Sequence, residues 1–198
     1  MADSTREVTL RDLGDLSMRA TVAFAARCAR RVRPALDGLP ADFPNHDAAL
    51  GTVDAAIEAA ENYARANMSR QADTEALAQA ALDVAEATYP YRRLGAYAAA
   101  HAAKAAAEAL RGGERASTAV VMEVVACAYG ANRVALTGGT GGRLDKESDQ
   151  LIRAAILADY EKLRGLSAGS LYDMGDPVDP SEKGPLGPLW TQGVPQAF

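Results

Sequence analysis

The sequence predicts an all-α protein, a helical bundle of about six helices followed by an extended Pro/Gly-rich C-terminal tail. Apolar residues recur at intervals of three and four along most of the chain, which is the period of an amphipathic helix. Alanine-rich stretches such as AYAAAHAAKAAAEAL have a strong helix-forming composition. Beyond residue 166 this period is lost and prolines recur. We therefore divide the chain into a flexible N-terminus (1–8), a bundle domain (9–166) and a tail (167–198).

The first elements are a short turn and a helix that ends in arginines. Thr9 can cap the turn LRDLGD and Asp15 can cap the helix after it, because each side-chain oxygen can accept from a free N–H. This helix is apolar from Leu16 onward, and Pro34 ends it. The helix dipole favours the cations of its last turns, which are Arg27, Arg30, Arg31 and Arg33.

Two amphipathic helices follow the loop DGLPADFPNHD. The first of them, about residues 47–68, carries one apolar stripe with Tyr63 beside it, and its carboxylates lie off that stripe. The next helix can be capped by Asp73 or Thr74 and is ended by Pro90.

The fourth and fifth predicted helices are the most apolar. The alanine-rich fourth helix ends at Gly112 and Gly113, since glycine suits a helix C-terminus. Its small side chains let neighbouring helices approach closely, so we interpret it as core, whereas exposed alanine would indicate a groove for a partner. Ser117 or Thr118 begins the fifth helix, which is apolar nearly all round. We predict that helix at the centre of the bundle, with a strand as the weaker alternative.

The last helix and the tail differ sharply in composition. TGGTGGR separates the fifth helix from a sixth that Asp145 caps; it lacks the strand and the lysine of a phosphate loop, so we interpret it as a linker. The prolines of the tail exclude helix, but the tail holds more large apolar side chains than a solvated linker needs. We expect it to pack on the bundle or on a partner through Leu186, Leu189, Trp190 and Phe198.

Composition excludes several function classes. The formal net charge of −5 over 198 residues disfavours general binding to nucleic-acid phosphates. No apolar run of membrane-spanning length and no signal-peptide pattern is seen, so we expect a cytoplasmic protein without a membrane span. Cys28 and Cys127 stand among apolar residues. We interpret them as free buried thiols, with a disulfide as the alternative if their helices pack side by side.

Candidate catalytic and metal-binding residues are few. His46 and His101 lack a second histidine or a cysteine at helical spacing, so no zinc site and no cofactor are expected. Glu58 and Glu61 share one helix side, but no ExxH pattern accompanies them, so we interpret them as a solvated acidic face.

Three stretches carry a family resemblance. CARRVRPAL, AIEAAENYARANMS and AYAAAHAAKAAAEA are similar to the pattern of alanine-rich helical immunity proteins of bacterial polymorphic-toxin systems. The resemblance covers about residues 20–135. It maps onto Cys28, Ala29, Val32 and Pro34, then Ala56–Ala59 with Tyr63, then His101. It implies a helical, non-catalytic protein that binds another protein.

One leading hypothesis and two alternatives follow. The leading hypothesis is a non-enzymatic protein-binding module, of the immunity or defence class, whose protein partner contacts the tail residues above together with Arg27, Arg30 and Arg31. The first alternative is an enzyme or small-molecule-binding bundle that uses His101, Tyr97 and nearby carboxylates. The second is a structural subunit whose tail docks on a neighbouring chain. The sequence leaves a homo-oligomer open in each case.

Overall fold

A computed structural model describes residues 6–40, 42–67, 70–113, 116–140, 144–166, 170–190 and 194–195. Within these ranges the chain forms seven α-helices and no strand, which confirms the all-α bundle. The helices are α1 (Leu10–Gly14), α2 (Met18–Val32), α3 (His46–Ala64), α4 (Gln71–Thr88), α5 (Gly95–Gly112), α6 (Thr118–Ala135) and α7 (Lys146–Leu166). Short 3₁₀ turns follow α2 and α4, at Arg33–Gly38 and Tyr89–Tyr91, where prolines end the α-helices.

Helices α2 and α5 form the centre of the bundle. α5 packs against α2, α3, α4 and α6, and its buried residues are alanines together with Gly95. A Cβ at Gly95 would lie 2.6 Å from the carbonyl oxygen of Val32, so α5 approaches the end of α2 more closely than any side chain allows. The predicted position of α6 at the centre is wrong, because α6 exposes Met122 and Ala126 on its outer face.

Most helix ends follow the expected chemistry. Thr9 and Asp12 form a reciprocal capping box at α1. The Ser117 side chain accepts from the first turn of α6, and Asp145 accepts from the N–H of Ser148 at 2.8 Å. Gly113, with φ of 58°, ends α5 in a conformation that glycine adopts without strain.

Two predicted caps are wrong. Arg70 precedes α4, and the hydroxyl of Thr74 donates back to the Arg70 carbonyl at 3.1 Å instead of capping the helix. Asp15 ends α1. The position before α2 is Ser17, whose side chain makes no capping bond.

The first N–H groups of α2 donate hydrogen bonds to backbone carbonyls of the distant tail. The N–H of Met18 donates to the carbonyl of Asp173, and the N–H of Arg19 donates to the carbonyl of Met174, both at 3.0 Å. These are among the N–H groups that a helix leaves without an internal partner. Backbone carbonyls of the tail therefore replace the side-chain cap that the sequence led us to expect.

We call the described tail residues 170–190 the strap. The strap crosses the bundle in an extended conformation and buries Leu171, Val178 and Leu186. The N–H of Val178 donates at 2.8 Å to the carbonyl of Ala64, the last residue of α3. The strap thus supplies hydrogen-bond partners to the first N–H groups of α2 and to the last carbonyl of α3, and it packs on its own bundle.

Cys28 and Cys127 are both free and buried. Burial raises the pKa of Cys28 to about 12 and that of Cys127 to about 11, so both thiols are protonated at neutral pH. Across the described ranges, no helix is both long enough and apolar enough to pass through a bilayer.

Candidate functional site

Most of the residues that the sequence predicts for partner binding meet under the end of the strap. Together with Asp159 of α7 we call this cluster the strap anchor; its predicted members are Arg27, Arg31, Leu186, Leu189 and Trp190. Arg27 donates from Nη1 to the carbonyl of Gly187 at 2.8 Å and from Nη2 to the carbonyl of Pro188 at 3.1 Å. Arg27 therefore binds the strap through main-chain carbonyl oxygens.

The second arginine of the strap anchor holds the last turn of the strap. Nη2 of Arg31 donates to the carbonyl of Leu189 at 3.2 Å, and its guanidinium carbon lies 5.5 Å from the centre of the Trp190 ring. That distance suits a cation–π contact. Lys162 adds a bond from α7, since its Nζ donates to the carbonyl of Leu186 at 2.6 Å.

Asp159 on α7 binds both guanidinium groups. Its two oxygens accept from Nε and Nη2 of Arg27 at 2.8 and 3.0 Å, and Nη1 of Arg31 lies 2.6 Å from Oδ2. Burial alone would raise the pKa of Asp159, but the charge of Arg31 and the hydrogen bonds of Arg27 hold that pKa below its usual value. Two cations and one anion leave an excess positive charge, which the carbonyl dipoles of the strap offset.

The remaining predicted contact residues lie elsewhere. Arg30 donates to Glu61 at 2.8 Å and to Asp54 at 3.3 Å, both on α3. The predicted solvated position of Glu61 is wrong, because Glu61 is buried. Phe198 lies outside the described residues. Partner binding through these side chains stays a prediction, but Arg27, Arg31 and Leu186 are buried within their own chain.

A second candidate site is an open groove of about 500 Å³, which we call the α5 groove. It forms because α4 and α6 each pack on α5 and leave one face of α5 uncovered between them. Glu75, Gln79 and Leu82 line the wall on α4. Glu123 and Ala126 line the wall on α6.

The floor of the α5 groove is one face of α5. Tyr97, His101, Lys104 and Glu108 follow each other at steps of four, three and four, so they lie in one row along the helix. Alanines fill the space beside this row, including Ala100 and Ala107. The floor therefore combines a shallow apolar surface with a line of polar side chains.

His101 is seated against a glycine of α6. A Cβ at Gly130 would lie 2.7 Å from Cε1 of the His101 ring, so the missing side chain at position 130 makes room for the imidazole. Burial lowers the pKa of His101, and the charge of Lys104 lowers it further. The ring is therefore neutral at pH 7 and offers one donor and one acceptor.

Three of the four charged residues that line the α5 groove are already paired. Nζ of Lys104 lies 2.9 Å from Oε1 of Glu123, and the hydrogen bond to Glu123 raises the pKa of Lys104. Glu108 forms an ion pair with Arg111. The wall on α4 is different, because it contributes the carboxylate of Glu75 and residues 71–88 include no lysine or arginine. The groove is therefore acidic on that side.

Neither Lys104 nor Cys127 is activated as a nucleophile in this groove. A lysine with a raised pKa is a poor amine nucleophile, and a thiol with a pKa of about 11 is a poor sulfur nucleophile. Within the part of the chain that the structure describes, no group of three or more His, Cys, Asp and Glu side chains is placed to hold a metal ion.

The sequence suggests His101 and Tyr97 as parts of an alternative site, but it does not reveal the groove. The groove depends on which helices cover α5, and no local pattern encodes that. Two features of the sequence are consistent with the groove: the spacing of the polar row on α5, and the absence of basic residues from α4.

Comparison with known proteins gives no relative: no family model, no curated protein and no solved structure matches this chain.

Proposed function

We propose that the protein is a non-enzymatic protein-binding module and that the α5 groove is its recognition site. The observation that carries this proposal is the uncovered face of α5, where small apolar residues lie beside charged ones between two helical walls. Concave surfaces that combine an apolar base with a few polar groups are the usual form of binding sites. Raised pKa values keep Lys104 and Cys127 protonated and therefore poor nucleophiles, which supports a binding role over a catalytic one.

The outer face of α6 extends this surface beyond the groove. The side chain of Met122 is 60% exposed, and Ala126, one turn further along, is also exposed. A methionine side chain adapts its shape to a partner, which makes it common at protein-binding surfaces. A partner in the groove could therefore also bury this face of α6, at roughly 1.5–3 kcal/mol for each large side chain fully removed from water.

The biological setting is part of the same proposal. The resemblance to immunity proteins suggests a cytoplasmic role in immunity or defence, and such a role needs only tight binding to another protein. The alternative in which the tail docks on a neighbouring chain has less support, because residues 170–190 are engaged within their own chain.

A second candidate function is binding of a small molecule in the same groove. Its volume suits a drug-sized ligand, and Tyr97, His101 and Lys104 converge on it. Native mass spectrometry of the purified protein separates the two functions. A bound molecule that is lost in a His101→Leu variant of unchanged stability would favour this second function.

Site-specific crosslinking tests the proposed function. A photoreactive amino acid is placed at Ala126, which is exposed in the groove, and at Ala158, which is exposed on α7 away from it. We expect one protein of the native host to crosslink from position 126 and not from 158, and to bind the purified chain. Equal crosslinking from both positions, or none from position 126, would contradict the proposal.

A further inference from the structure

We infer that the α5 groove accepts a basic amphipathic helix of about three turns, contributed by the partner protein. This inference rests on the binding function proposed above and specifies the partner's chemistry. It is carried by the shape of the groove, by its charge and by the small residues of its floor.

The shape of the groove fits a helix. Two helical walls flank a helical floor, and the polar row on that floor runs from Tyr97 to Glu108. These residues are eleven positions apart, which corresponds to about 16 Å of helix axis at about 1.5 Å per residue. Three turns of a docked helix have the same length. The alanines at positions 100 and 107 leave room for the close helix–helix distances of about 8–10 Å that small contacts permit.

The charge of the groove selects a basic partner. Glu75, Glu108 and Glu123 line the groove together with one lysine, Lys104. Glu75 on the wall of α4 is exposed, and in the described part of the chain it forms no ion pair. Because Lys104 is paired with Glu123, it offsets little of this negative charge. Lysine or arginine side chains on the partner would supply the missing cations.

The floor selects an apolar face on the same helix. The partly exposed Leu82 presents carbon surface to the groove, and Met122 adds an exposed thioether beside it on α6. A helix with small or branched apolar residues toward the floor and basic residues at both edges satisfies both surfaces at once. The neutral imidazole of His101 can exchange a hydrogen bond with a polar side chain at the centre of that helix.

The test uses the full-length chain and designed helical peptides of about 14 residues. One peptide carries an alanine and leucine face flanked by lysines, and the second carries glutamates in place of the lysines. We expect fluorescence anisotropy to show at least about tenfold tighter binding of the basic peptide, a difference of about 1.4 kcal/mol. Its affinity should fall as salt is raised, because the contacts at the rim are exposed.

Variants of matched charge locate the binding. Glu75→Gln with Glu123→Gln removes two negative charges from the lining of the groove, and Glu147→Gln with Glu161→Gln removes two from exposed positions on α7. We expect the first pair to weaken the basic peptide by about tenfold and the second pair to leave it nearly unchanged. The NMR signals of the His101 ring should shift when the basic peptide is added.

The outcomes separate this inference from the proposed function. The inference is overturned if the basic peptide does not bind, if both peptides bind equally, or if the two variant pairs weaken binding equally. It is also overturned if the partner segment crosslinked from position 126 is acidic or not helical, and the binding function then stands. If position 126 captures no partner, the proposed function itself fails.

Discussion

The strap anchor and the α5 groove place similar charges in opposite surroundings. In the strap anchor, the side chains of Arg27, Arg31 and Asp159 are at most 4% exposed, and strap carbonyls accept further hydrogen bonds from both arginines. In the α5 groove, the Lys104 and Glu123 side chains are 52% and 42% exposed. Their pairing is worth little, because exposed ion pairs contribute about 0–1 kcal/mol.

This difference separates a structural role from a recognition role. Removing one partner of a buried ion cluster leaves an uncompensated charge in the interior, at a cost of about 3–5 kcal/mol. An exposed charge can be removed or paired with another molecule at little cost to the fold. Burial, more than residue type, therefore assigns Arg27 and Arg31 to the fold and is consistent with the recognition role proposed for the polar row of α5.

Removing the anion of the strap anchor should have the largest effect. We expect Asp159→Ala to lower the free energy of unfolding by about 3–5 kcal/mol, because it leaves two buried guanidinium groups without their carboxylate. The control is Asp149→Ala, which removes the half-exposed partner of Arg153 on the same helix and should cost about 1 kcal/mol or less. Urea denaturation measures both. Equal losses would show that the two ion pairs do not differ in the way their burial indicates.

Shortening the buried leucine of the strap should come next. Leu186 is fully buried, so Leu186→Ala should cost about 2–5 kcal/mol through lost apolar contact and the cavity left behind. Leu166→Ala, on the exposed end of α7, should cost much less. Thermal unfolding compares the two variants. A native-like melting temperature for Leu186→Ala would mean that the strap contributes little to stability.

A smaller effect is expected where α6 seats His101. Alanine in place of glycine inside a helix usually stabilises by about 0.5–1 kcal/mol, and Gly51→Ala on α3 should do so because its Cβ meets nothing within 4 Å. Gly130→Ala should lose this gain, since its Cβ pushes the His101 ring toward the groove. Unfolding free energies and the His101 NMR signals test this. A gain equal to that of Gly51→Ala would show that the ring is not confined.

The histidine also predicts a modest pH dependence. Its folded-state pKa is lowered, so the unfolded chain binds a proton first as pH falls below the usual value near 6.5. The free energy of unfolding should therefore decrease from about pH 6.5 downward, and His101→Gln should remove that decrease. Asp159, whose pKa is lowered from 3.8, would contribute only at more acidic pH. An unchanged pH profile in His101→Gln would contradict the neutral, buried state of the ring.

The smallest effect is expected on the acidic wall of the groove. Glu75 is exposed, so Glu75→Gln should change the free energy of unfolding by no more than about 0.5 kcal/mol. Asp159→Asn removes the same single charge from the strap anchor and should destabilise the fold strongly. Denaturation of the two variants side by side compares the sites at constant charge change. A large loss in Glu75→Gln would assign the wall of the groove to the fold.

The sequence predicts what depends on local spacing. The helices, the caps at Thr9 and Ser117 and the glycine end of α5 follow from period, side-chain oxygens and backbone freedom. The apolar residues of the tail also point to a packed surface, and Leu186 is buried in one.

Features that depend on contacts between distant residues cannot be predicted from local sequence patterns. The burial of Arg27 requires Asp159, which is 132 positions away, so a local reading assigns that arginine to an exposed helix end. The central position of α5 and the opening of its groove depend on how four other helices pack. The side chains of α5 are mostly alanine, and alanine is compatible with a core and with a surface.

The strap also limits when the bundle can finish folding during synthesis of the chain. Arg27 is bonded to residues 153 to 161 positions later in the chain, and the first N–H groups of α2 are bonded to the strap as well. At about 5–20 residues per second, a ribosome makes the strap roughly 8–30 s after it makes α2. For most of that interval α2 carries two guanidinium groups without Asp159 and the strap carbonyls, and its apolar face lacks α7. A newly made chain should therefore leave this part of the bundle open until the strap has been synthesised.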